Sequence, residues 1–129
     1  MTTPLEAALK DAIAAHGTWK LKLRTSVNSG KAAQSADEIA CHTCCAFGIW
    51  MHDPRIVDEH GASIPYRVID RLHAEFHAVA ADITDLVIAG DVNRAKTMLE
   101  TTFNEHSTHL VRGMTKWIKE ARMHAAEAA

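Results

Sequence analysis

The feature that most limits the fold is an apolar stripe that recurs at helical spacing. Leu5, Leu9, Ala12, His16, Trp19, Leu23 and Val27 follow one another at intervals of four and three, the period that lines one face of an α-helix. Gly30 stands where such a helix would end. A second helix is expected from Ser35, whose hydroxyl can cap it while Glu38 reaches back to complete a capping box; it runs to His52, where Asp53 and Pro54 break it. Residues 53–64 contain Gly61 and little periodicity, so they read as a loop. Pro65 then opens a third helix that buries Ile69, His73, Phe76, Ala80, Ile83 and Val87 and stops at Gly90. Asp91 caps a fourth, with the stripe Leu99, Phe103, His106, Leu110, Trp117 and Ala121. Four amphipathic helices with short connections predict an all-α fold. The expected form is an antiparallel four-helix bundle with a short extra helix or long loop between helices 2 and 3. Residues 1–129 read as a single helical domain, long enough to bury a core without disulfide staples.

Charge and hydropathy exclude some functions. The net charge is -2 with histidines neutral, so no basic face invites nucleic acid. No apolar run approaches the roughly 20 residues of a membrane helix, and the start does not resemble a secretory signal. The expected compartment is the cytoplasm. There, clustered cysteines serve metal or redox chemistry more often than structural bridges. This chain places all its cysteines, Cys41, Cys44 and Cys45, within CHTCCAFGIW, and it carries 9 histidines. That combination points to a metal.

The donors can be placed on the expected helices. In HAEFH, His73 and His77 stand four apart and project from one face, where two imidazoles can grip one ion. A tetrahedral zinc site needs four nitrogen or sulfur donors, which facing helices of a bundle can supply. His16 lies on the inward stripe and offers a third. The fourth should come from the cysteines. On a continuous helix Cys41 and Cys45 share a face with Gly48 and His52, whereas Cys44 is rotated about 100° from Cys45; spacing alone leaves Cys41 and Cys45 as contenders.

His16 with Trp19 three places on, CAFGIW from Cys45 to Trp50, and HAEFH from His73 to His77 resemble the chemoreceptor zinc-binding (CZB) domain family in order and in gaps. The resemblance spans essentially the whole chain. It implies that Cys45 supplies the thiolate, with His16, His73 and His77 completing a zinc site. It further implies a bacterial cytoplasmic signalling module that senses zinc or hypochlorous acid and pairs as a homodimer. Its partners would be signalling proteins, a chemoreceptor or a diguanylate cyclase. This chain departs from the family in lacking a recognisable methyl-accepting or cyclase segment and in carrying Cys41 and Cys44.

The residue types suit such a role independently. One thiolate and three neutral imidazoles leave zinc at net +1, so the centre can be partly buried, and a zinc-bound thiolate stays nucleophilic toward oxidants. Cys41 offers a resolving thiol one turn before Cys45, although packing is the simpler role for Cys41 and Cys44. Trp19 and Trp50 are expected to shield the site, and Gly48 to let the second helix approach a neighbour. His42, His52, His60, His109 and His124 read as surface or loop residues. A hemerythrin-like di-metal carboxylate/histidine bundle, binding oxygen or iron, is the alternative, drawn from Asp70-x-x-His73 and His106-x-x-His109. It would need several inward carboxylates, and few are on offer. Hydrolytic zinc chemistry is not expected: the zincin pattern has Glu directly after its first His, where this chain has Ala74. No catalytic activity is predicted.

Overall fold

The computed structural model describes residues 2–128. Helix α1 (Pro4–Ser29) is capped by Thr3, whose side chain accepts from the Glu6 N–H at 3.1 Å, and ends at Gly30, whose φ of 71° takes the left-handed turn that halts the helix. Two short helices follow, α2 (Ala36–Ala40) and α3 (Ala46–Met51), and then α4 (Pro54–His60). Helix α5 (Ile64–Ile88) starts behind the Ser63 cap, and a tight turn with Gly90 at φ 83° leads to α6 (Val92–Met98). A π-helical turn, Leu99–Phe103, joins α6 to α7 (Asn104–Ala128). Ser35, Ser63 and Asp91 accept the backbone N–H groups of Glu38, Tyr66 and Arg94, as their positions before helical stripes require.

Contacts fix the direction of each element. Glu6 pairs with Arg122, and Lys20 donates to Asn104 at 2.9 Å, so α1 and α7 run antiparallel. Tyr66 meets Trp117 at 6.3 Å between ring centroids and Phe76 meets Phe103 at 5.0 Å, so α5 and α7 are antiparallel too. The segment from α2 to α3 descends along α5, with the Ile39 carbonyl at His77, Phe47 beside His73 and the Met51 carbonyl accepting from the Tyr66 hydroxyl. The expected antiparallel four-helix bundle is therefore present, with its second position filled in pieces.

That position corrects the expected unbroken helix from Ser35 to His52. The helix stops after Ala40, passes through a turn at residues 41–45 and restarts at Ala46. A disulfide between Cys41 and Cys44 ties the turn across a Cα–Cα distance of 5.4 Å. Cys44 is exposed and Cys41 half-buried, so these residues are a cross-link rather than the packing residues expected, and Cys41 is not a free resolving thiol. Helix α4 is the short extra helix expected between the second and third helices, set within residues 53–64 that by periodicity read as a loop. Gly48 has its close neighbour, but within the segment: a Cβ there would collide with the His42 carbonyl and lie 2.8 Å from Thr43 Cα.

The predicted stripes form the core. Leu9, Val27, Phe76, Ala80, Ile83, Phe103, Leu110 and Met114 are wholly buried. Phe76 lies between the first donor and the fourth helix, 5.1 Å from the His16 ring and 5.0 Å from Phe103. The candidate donor His16 is thus seated on the same aromatic layer that joins the bundle.

Two glycine substitutions separate helix propensity from packing. Gly17→Ala, with open space around the new methyl, should stabilise the protein by about 0.5–1 kcal/mol through propensity. Gly48→Ala should instead cost about 1–3 kcal/mol, because overpacking against backbone exceeds that gain. Urea midpoints moving in the same direction for both would contradict this packing.

Candidate metal centre

Each donor is presented by a different local device. His16 projects inward from α1 and is 7% exposed, His73 and His77 stand one turn apart on α5 at 1% and 4%, and Cys45 is half-buried. Cys45 is not on a helix face. It is the N-cap of α3, where its Sγ takes the place of the usual capping oxygen and accepts from the Gly48 N–H at 3.4 Å. The break at residues 41–45 creates that position, so the cap and the donor are one side chain.

The donor atoms converge. Cys45 Sγ lies 3.4 Å from His73 Nε2, which lies 3.1 Å from His77 Nε2. One ligand atom from each of His16, Cys45, His73 and His77 falls within 4.8 Å of all the others. Around a tetrahedral zinc ion, donor atoms are separated by about 3.3 Å between nitrogens and about 3.6 Å from sulfur to nitrogen. Two edges already have that length, and the remainder of the set closes with shifts of about an ångström.

Hydrogen bonds to the far side of two rings decide which nitrogen is free. His16 Nδ1 is 2.6 Å from the Ala12 carbonyl and His77 Nδ1 is 2.8 Å from the Ile39 carbonyl. A carbonyl only accepts, so Nδ1 carries the proton in both rings and each Nε2 turns an unprotonated lone pair toward the centre. Burial pushes the pKa of all three imidazoles below the ordinary value, and the neighbouring rings of His77, His16, His42 and His52 help to push His73 down to about 2. The rings are therefore neutral at neutral pH, the state a metal requires.

Aromatic side chains enclose the cluster. Trp19 lies 5.5 Å from the His77 ring, and Phe47 lies 5.1 Å from His73 with Trp50 stacked on it at 5.8 Å. The predicted shielding by Trp19 and Trp50 is present. One side stays accessible through a mainly apolar cavity of about 320 Å³, which is lined by Ala12, His16, Trp19, Cys45, Trp50 and His77 among others.

The sequence model of the chemoreceptor zinc-binding domain matches residues 16–84, from the first histidine donor to the last turns of α5. The chain belongs to the chemoreceptor zinc-binding domain family. Neither the curated proteins nor the solved structures yield a match. As a member of the family, the chain is a zinc-binding sensory domain, and its donor set of three neutral imidazoles and a thiol suits that ion. No helix among the described residues is long and apolar enough to cross a membrane.

The other candidates fall elsewhere. His106, half-buried, faces Glu75 at 3.8 Å, and His109 is exposed. The carboxylates of a di-metal centre are not gathered: among the described residues, one donor cluster has no carboxylate and a second has only Asp70. His60, at the end of α4, packs beside Trp117, and His124 is exposed. His42 is a loop residue, in the turn at residues 41–45, with its half-buried ring 6.0 Å from that of His73.

The lowered imidazole pKa values carry a stability consequence. Unfolded, each ring returns to its ordinary value of 6.5, so below that pH the unfolded chain binds more protons than the fold. Stability is complete above 6.5 and falls as pH drops toward the folded values. The metal-free protein should therefore melt at a lower temperature at about pH 5 than at about pH 7.5, with a shallower dependence in His73→Gln. Equal melting temperatures across that interval would contradict the neutral buried cluster.

Proposed function

We propose that His16, Cys45, His73 and His77 together hold one zinc ion, and that its retention or loss controls how the Cys45 segment packs on α5. The observation that carries this reading is the convergence of the four donor atoms within 4.8 Å, inside the core of a chain of this family. Bound zinc supplies positive charge that favours the thiolate and links α1, α5 and the segment before α3. Three of the donors come from 25-residue or longer helices; Cys45 only caps a six-residue one. Restraint on that short element is the property most changed when one bond is lost.

The oxidant-sensing form of the function uses the same sulfur. The cavity gives small reagents a route to Cys45, where net transfer of hydroxyl from hypochlorous acid converts thiolate to sulfenic acid and releases chloride. A sulfenic acid is a poorer donor, which favours release of the segment. Output then passes by contact, through a homodimer or to a signalling protein such as a chemoreceptor or diguanylate cyclase, in the cytoplasm. Four protein donors leave no place for a reactive water, which supports regulation rather than catalysis.

Metal analysis by mass spectrometry tests the donor set. After washing with a weak chelator, the protein should keep one zinc per chain, and Cys45→Ser and His77→Ala should lose it, whereas His109→Ala, altered at an exposed position, should not. Hydrogen exchange should rise in residues 41–50 when zinc is stripped. Full zinc content in both donor variants, or unchanged exchange in that segment, would remove the basis of the proposal.

A further inference from the structure

The break at residues 41–45 assembles a second group of potential metal donors beside the first. His42 lies in the turn, His52 follows α3 as its C-cap, and Asp70 stands on α5 one turn before His73. One ligand atom from each falls within 4.8 Å of the other two. His52 Nε2 is 3.3 Å from Asp70 Oδ1, and the His42 and His52 ring centroids are 6.1 Å apart. Asp70 Oδ1 is closed off from solvent and has no hydrogen-bond partner, although the side chain as a whole is 36% exposed. A carboxylate oxygen so placed makes no hydrogen bond, and the His52 ring beside it pairs with it only when protonated, so a bound cation would satisfy it.

We infer that His42, His52 and Asp70 form a second site, for a divalent transition-metal ion of the zinc class. Two imidazoles and one carboxylate are a donor set that such ions accept, and a separation of 3.3 Å matches the roughly 3.3 Å edge of a tetrahedron of zinc–nitrogen and zinc–oxygen bonds. Three protein donors leave a coordination position for water. With His52 exposed, the ion exchanges readily and binds more weakly than one in the enclosed centre. The site uses none of the four first-site donors. An ion there ties both ends of the segment that carries Cys45, through His42 and His52, to α5.

Cobalt titration of the 129-residue chain, preloaded with one equivalent of zinc, tests this. Zinc outcompetes cobalt at the first centre, so cobalt reports on what remains. The expected result is one added equivalent with d–d absorption and no thiolate-to-cobalt charge-transfer band, lost in His52→Ala and in Asp70→Asn while the zinc is retained. Both positions are solvent-accessible enough for the fold to survive, which circular dichroism verifies. Three results would overturn the inference: no second equivalent, a second equivalent that persists in both variants, or a thiolate band, which would assign the ion to Cys45. Failure of the first centre would show separately, as loss of zinc retention.

Discussion

The arrangement depends on three neutral imidazoles and one sulfur bringing a donor atom each into the same small volume inside an apolar core. Two ring nitrogens at 3.1 Å and a sulfur at 3.4 Å do not settle side by side without a proton or a cation between them. A neutral His73 ring with its proton on Nε2 can bridge to one neighbour, and burial makes any further proton unfavourable, since a charged imidazole there would be poorly solvated. A divalent ion answers every lone pair at once, and the backbone carbonyls of Ala12 and Ile39 hold two of the rings in the only tautomer that allows it. Phe76, wholly buried between His16 and Phe103, makes this polar cluster continuous with the hydrophobic core.

The bundle distributes rigidity unevenly around that point. Helices α1 and α5 supply three donors from stripes that are buried along their lengths. The remaining donor stands at the start of a six-residue helix. Isolated helices of that length are not stable by themselves, so its order is borrowed from contacts: Phe47 against His73, the Met51 carbonyl with Tyr66, and Gly48 against the turn at His42. A segment held in place by its neighbours responds when one of those neighbours changes.

Much of this is legible in the residues. The stripes of α1, α5 and α7 give the long helices and their inward faces, because each has enough turns for the 3.6 period to dominate. His16, His73 and His77 fall on those stripes and are found where the period puts them. The cysteine segment is different. Ala36 to Met51 has helix-compatible residues throughout, and only tertiary contacts decide that the ladder is interrupted at Cys41. Extrapolating a period across that break misplaced Cys41 and Cys44, and left spacing unable to choose between Cys41 and Cys45. The choice of Cys45 came from likeness to the family. The π-helical turn at Leu99–Phe103 was likewise invisible: it adds a residue to one turn while keeping both Leu99 and Phe103 buried, so the stripe looks uninterrupted.

His77 has a role that its four-residue spacing from His73 does not suggest. One nitrogen of its ring faces the centre and the other holds the last full turn of α2 by the Ile39 carbonyl. Cys45, beyond the turn, heads α3. A single ring thus spans from the donor cluster to α2, while the sulfur spans from the same cluster to α3. Both short helices are anchored to one point, by two separate attachments.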